Sequence, residues 1–106
     1  MDLLSKKCVP CEGGVSPLGA DEVKKYLAEI NSEWVAVDSR KLKRDFTFRD
    51  FKEAMAFVNR VAQIAEAEGH HPDIHVFYNK VTIELWTHAA GGLTENDFII
   101  AAKIST

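Results

Sequence analysis

Cysteine is scarce in this chain, with only Cys8 and Cys11 among 106 residues. The two make a single Cys-x-x-Cys pair, half of the four-ligand set that a structural zinc needs, and no second pair or matching histidine pair stands at finger-like spacing. A redox dithiol of the thioredoxin kind sits at the start of a helix, whereas Pro10, Gly13, Gly14 and Pro17 make this stretch a loop. Neither thiol is therefore assigned to a site. No apolar run approaches the length of a membrane span, so a membrane partner is not expected. The first residues lack the continuous apolar stretch and small-residue cleavage site of an export signal, which leaves a cytoplasmic location as the expectation. Positive charge is not in excess either: 13 Lys and Arg stand against 16 Asp and Glu, for a net charge of −3. A dominant basic surface for nucleic acid is thereby excluded. The one basic cluster, "RKLKR" at 40–44, alternates as a strand does and reads as the solvated side of a β-hairpin.

What is present suits one globular domain with one core. Residues 1–19 read as an irregular arm carrying the Cys-x-x-Cys pair, and residues 20–106 as the domain. "ADEVKKYLAEI" spaces Val23, Leu27 and Ile30 for a short amphipathic helix, with Asp21 and Glu22 placed to suit the dipole of its first turn. "EWVAVD" and "KLKRDFTF" form a hairpin about Asp38, Ser39 and Arg40, with Leu42, Phe46 and Phe48 facing inward. From Arg49 to Glu68 runs the longest helix, its stripe predicted at Phe51, Met55, Val58, Ala62 and Ala65 and widened by Phe57, Val61 and Ile64. Gly69 caps it and Pro72 prevents its return. "DIHVFY" and "KVTIELWTH" make a second hairpin about Asn79 and Lys80. Val81, Ile83 and Leu85 point to one face, and Thr82, Glu84, Trp86 and His88 to the other. A last helix starts with Thr94 as N-cap and Asp97 three residues on, a variant of the capping box. The order α-β-β-α-β-β-α predicts an α+β, two-layer fold with a four-stranded antiparallel sheet and helices on one face. Its open face and unpaired edge predict a homodimer or homotetramer.

All four histidines fall between residues 70 and 88. Imidazole exchanges protons near neutral pH, so this gathering is the first candidate for acid/base work. His70 and His71 stand where the long helix turns into a strand, and a turn near Asn79 sets His88 opposite roughly His71. Glu66, one helical turn before His70, is placed to orient that ring. His75 shares the parity of Phe77 and reads as a sheet-face residue. Three clustered histidines also suit zinc, although adjacent His70 and His71 point differently in most backbone conformations and the thiols lie in a remote arm. Trp34 and Trp86 are candidates to stack on a flat heterocycle, with Trp34 equally suited to plug the core.

The pattern Glu66, His70-His71-Pro72, Tyr78-Asn79, Thr87-His88, then Gly92-Leu93-Thr94 with Asp97, resembles the pterin-4a-carbinolamine dehydratase family. The likeness extends upstream through "DFTFRDFKEAMAFVNRVA" and Trp34, about residues 20 to 104. It implies a small oligomeric α+β protein that converts 4a-hydroxytetrahydropterin to quinonoid dihydropterin and water without metal or cofactor. By the same resemblance His70, His71 and His88 are the catalytic trio, Asp97 and Glu66 support them, and Trp34, Pro72 and Thr87 line the pocket of a small pterin substrate. Vertebrate members also serve as dimerisation cofactors of a transcription factor, a role that nothing in this chain transfers. The alternatives are a non-catalytic pterin-binding or protein-interaction module, and a related pterin reaction in molybdenum-cofactor metabolism.

Overall fold

The computed structural model of the protein describes residues 2–9 and 15–104. Cys11, one half of the Cys-x-x-Cys pair, lies outside them. Three α-helices and four strands follow in the predicted order: α1 (Ala20–Leu27), β1 (Val35–Val37), β2 (Lys41–Thr47), α2 (Phe51–Glu68), β3 (Asp73–Phe77), β4 (Lys80–Leu85) and α3 (Glu95–Ile104). The antiparallel sheet runs β1-β2-β4-β3, with β1 and β3 at its edges. Leu42, Val81, Ile83 and Leu85 point inward and meet Ala54, Val61, Phe98 and Ile99 of the helices in one buried cluster. No helix among the described residues is long and apolar enough to cross a membrane.

Each hairpin is set by its turn. Asp38 and Ser39 both take positive φ, 52° and 56°, so the three-residue connection closes with Val37 opposite Lys41. In the second hairpin Tyr78 takes φ 53°, and Phe77 pairs with Lys80. This turn has the predicted two-residue length but sits one residue earlier, at Tyr78 and Asn79 instead of Asn79 and Lys80. Continued two residues beyond its last pair, Asp73 with Glu84, the ladder would set Trp86 opposite His71. Because the difference is an even number of residues, every side chain keeps its predicted face.

The long helix begins on Asp50, whose carboxylate accepts the Glu53 N–H at 2.9 Å, and ends on Gly69 in the left-handed region at φ 67°. Its buried stripe is rotated from the predicted one. Ala54, Val61 and Ala65 are buried with Phe57, Val58 and Ile64 beside them, whereas Phe51 and Ala62 face solvent. Apolar residues cover a broad arc of this helix, so their spacing alone does not fix which part of the arc faces the core. The basic cluster also departs from expectation at one position. Arg44 shares the inward parity of Leu42 and Phe46, and its guanidinium lies 4.4 Å from the Phe46 ring and 3.4 Å from Glu33.

The described stretches before α1, residues 2–9 and 15–19, form no helix or strand and pack against the rest of the fold. Leu3 is buried in the core. The Asn96 amide donates to the Val9 carbonyl at 2.7 Å and accepts the Val9 N–H at 3.0 Å, while Glu68 accepts the Cys8 N–H at 2.9 Å. Further along, the Leu18 N–H donates to the Leu93 carbonyl at 2.8 Å. A Cβ on Gly92 would stand 2.9 Å from Pro17, so the close approach of arm and loop requires glycine there. This wrapping explains why α3 is buried nearly all round, with Asn96 to Ala101 and Ile104 all enclosed.

Candidate active site

The end of α2, the entry to β3 and the exit of β4 meet at a cleft of about 410 Å³ lined by residues 69–73 and 86–89. The predicted His70, His71, Pro72, Thr87 and His88 all line it. Gly69 turns the chain out of the helix, and Pro72 commits it to an extended path, so of two successive imidazoles His71 emerges at the rim while His70 turns inward. His88 arrives differently from the prediction. The strand ends at Leu85, and His88 opens a single 3-10 turn, His88–Ala90, held by reciprocal backbone bonds between Thr87 and Gly92. That turn carries the His88 side chain outward while the Thr87 hydroxyl points into the protein.

Behind His70 lies a buried polar network. His70 Nε2 is 2.6 Å from Asp97 Oδ1, and the imidazole is 12% exposed while the carboxylate is wholly enclosed. The other oxygen, Oδ2, accepts from the Thr87 hydroxyl at 2.8 Å and from the Thr94 N–H at 3.0 Å. Thr87 has one hydroxyl proton, which goes to Asp97, so Thr94 Oγ1 is the donor in the 2.8 Å Thr94–Thr87 pair. Thr94 thus does not cap α3 with its own side chain. Asp97 supplies the reaching-back half of a capping box, and the same carboxylate orients His70. Since a carboxylate only accepts, Nε2 of His70 carries hydrogen and its Nδ1 is left for other work.

The remaining predicted residues divide. Glu66 does not reach His70. Its exposed carboxylate is 3.6 Å from His71 Nε2, because the backbone turn at Gly69 swings His70 inward toward α3. Trp34 is not among the lining residues: it is 3% exposed, edge-on to Phe46 at 6.2 Å, and belongs to the core. Its place as an aromatic wall is taken by Trp86, whose ring centroid is 3.9 Å from that of His88. Trp86 shares the parity of Glu84 on the open face, where the sequence already marks it, with Trp34, as a candidate to stack on a flat heterocycle. The sequence reads Thr94 as the N-cap of its helix and as part of the family pattern, and its link to Thr87 is legible only from the fold. His75 bonds Glu84 at 3.0 Å on the open face of the sheet and takes no part in the cleft. Among the described residues no three His, Cys, Asp or Glu side chains converge as metal ligands.

The arrangement offers two exposed imidazoles, a third held by a buried carboxylate, and a rim open to solvent. A family model described as pterin 4 alpha carbinolamine dehydratase matches residues 16–106. A curated protein of Alkaliphilus metalliredigens, provisionally named pterin-4-alpha-carbinolamine dehydratase, is 46% identical over 97% of this chain and 93% of its own length. One of Legionella pneumophila with the same provisional name is 50% identical over 97% of this chain and 92% of its own. These alignments take in the cysteine-bearing arm, which the motif resemblance left out. Among solved structures, a protein from Brucella melitensis titled transcriptional coactivator/pterin dehydratase superposes with a TM-score of 0.79 at 35% identity, covering 85% of this chain and 96% of that one. A pterin dehydratase-like RuBisCO assembly factor of the alpha-carboxysome shares the fold at 24% identity, with a TM-score of 0.58 over 68% of this chain and 84% of that one. The chain belongs to the pterin 4 alpha carbinolamine dehydratase family.

Proposed function

We propose that the protein is a dehydratase that removes water from 4a-hydroxytetrahydropterins, 4a-hydroxytetrahydrobiopterin among them, by histidine acid/base catalysis in pterin recycling. The observation that carries this reading is the buried Asp97–His70 pair at the wall of a cleft that His71 and His88 also line. The reaction breaks the C4a–O and N5–H bonds, forms C4a=N5, and releases the hydroxyl as water. One group must protonate the departing oxygen and another must take the proton from N5. His70, fixed at Nε2 by Asp97, and His88, seated against Trp86, form the proton-transfer pair, and His71 holds the hydroxyl or the ring. Pro72 and Thr87 line the pocket, and Glu66 supports His71. No step in this scheme calls on a metal or an organic cofactor.

The protein works in the cytoplasm as a homodimer or homotetramer in this proposal, since β1 and β3 each leave one edge without a neighbouring strand among the described residues. Purified protein is expected to accelerate dehydration of the 4a-carbinolamine, followed by absorbance, above its spontaneous rate; an unchanged rate sinks the proposal. A non-catalytic interaction module is the second reading, prompted by the description of the Brucella melitensis protein as a transcriptional coactivator. It predicts that His88→Ala leaves partner binding intact and that the wild type has no turnover to lose.

A further inference from the structure

Asp73 is the one carboxylate among the residues lining the cleft. The other acids nearby are engaged: Asp97 with His70, Glu66 beside His71, and Glu84 with His75 and Lys41. Asp73 makes no side-chain hydrogen bond or ion pair among the described residues, and it stands exposed at the first position of β3. It follows His71 by two residues of chain that Pro72 biases toward extension, roughly 6–7 Å of path. An acceptor-only group thus sits at a fixed remove from the imidazoles that would act on the ligand.

Resting on the pterin reading above, we infer that Asp73 is a substrate-recognition residue for the pyrimidine edge of the pterin, accepting the 2-amino and N3–H hydrogens in one bidentate pair. Those two donors are parallel and adjacent, the arrangement that a carboxylate accepts with both oxygens, as it does from a guanidinium. An edge bearing a carbonyl or a bare carbon at position 2 would still offer N3–H but leave the second oxygen of Asp73 facing an acceptor or nothing. The carboxylate therefore selects 2-amino-4-oxo heterocycles over their 2-oxo and 2-desamino counterparts. It also sets which end of the ring system lies toward the histidines. Selection of this kind comes from an unmet partner, which penalises the wrong ligand more than a lost apolar contact would.

The test measures affinity rather than turnover. Binding of a stable 7,8-dihydropterin and of its 2-desamino analogue is followed by tryptophan fluorescence in the wild type, Asp73→Ala and Asp73→Asn. Loss of a charge-assisted pair corresponds to roughly 10- to 100-fold in affinity. The wild type should prefer the 2-amino ring by about that factor, and both variants should lose most of the preference while retaining weak binding of either ring. A preference undiminished in both variants overturns the inference, as does a wild type that binds neither ring. Dihydropterin binding with Asp73-dependent selectivity, but no dehydration of the carbinolamine, would refute the catalytic reading and leave this one standing.

Discussion

His70 and Asp97 lie 27 residues apart in sequence, and their side chains meet at 2.6 Å where the end of one helix faces the start of another. The carboxylate holds three donors, so an amide in its place cannot satisfy all three. Asp97→Asn would present N–H to His70 Nε2 or to Thr87, forcing either the other imidazole tautomer or a lost bond. The expected outcome is a fall in kcat of roughly 10²-fold or more, with the His70 tautomer altered in long-range ¹H–¹⁵N spectra. A purely structural Asp97 would lower the melting temperature and leave the tautomer and the kcat of the folded fraction as they were.

Thr87 tests the same network from its other side. Thr87→Val keeps the shape but removes the hydroxyl that links Thr94 to Asp97, leaving two buried groups each short of a partner. A loss of about 1–3 kcal/mol follows from the unsatisfied groups. Each kcal/mol lowers the melting temperature by roughly 4–8 °C in a domain near this size. Thermal unfolding followed by circular dichroism checks it, with Thr87→Ser expected to recover most of the difference.

This network also marks the limit of what the sequence discloses. The element order was readable because Gly69, Pro72 and Thr94 punctuate the chain and because period-2 and period-3.6 patterns alternate cleanly around them. The gathering of His70, His71 and His88 was readable from one hairpin, although its turn sits one residue earlier than predicted and His88 lies in a 3-10 turn rather than a strand. Asp97 was legible as a capping acid and, through the family motif, as a partner for the imidazoles. Which imidazole Asp97 takes and which Glu66 takes depended on the turn at Gly69, where a single left-handed residue redirects the chain. Arg44 escaped for a different reason: a pattern judged by apolarity assigns its charge to solvent, whereas the Phe46 and Trp34 rings cover its guanidinium at an inward position.

His88 gives the sharpest separation of chemistry from stability. Its side chain is exposed and its ring contact is with Trp86, so little packing is lost on truncation. His88→Ala and His70→Ala are each expected to lower kcat by roughly 10²-fold or more. The melting temperature of His88→Ala should stay within about 4 °C of wild type, since exposed substitutions fall within roughly 0.5 kcal/mol. Trp86→Phe should retain more activity than Trp86→Leu, because only the aromatic ring presents a flat face to the imidazole.

Tyr26 makes the fold sensitive to alkali. Burial, reinforced by its 2.8 Å bond to the Glu95 carboxylate, pushes the phenol from 10.0 up to about 12. In the unfolded chain it would ionise near the ordinary value, so the raised group favours the folded state fully below pH 10 and progressively less as pH rises toward 12. Stability measured by urea unfolding should therefore decline across that window, and Tyr26→Phe should flatten the decline. Ultraviolet titration of the native protein should show a phenolate step near pH 12 that the substitution removes.

Glu68 sets the opposite limit. Its bonds to Lys103 Nζ at 2.8 Å and to the Cys8 N–H at 2.9 Å hold its carboxyl below the usual value, Lys103 being the larger cause. A depressed carboxyl favours the folded state above the ordinary carboxylate range, and the contribution fades as pH falls through the lowered value. Glu68→Gln should accordingly be less stable than wild type at pH 7, with the difference closing below about pH 4. Because Glu68 joins the arm to α2 two residues before His70, the same substitution should raise amide hydrogen exchange at Cys8 and Val9 under conditions where the core stays protected. Closure of the stability gap at low pH without increased exchange in the arm would place the effect in the Lys103 pair alone.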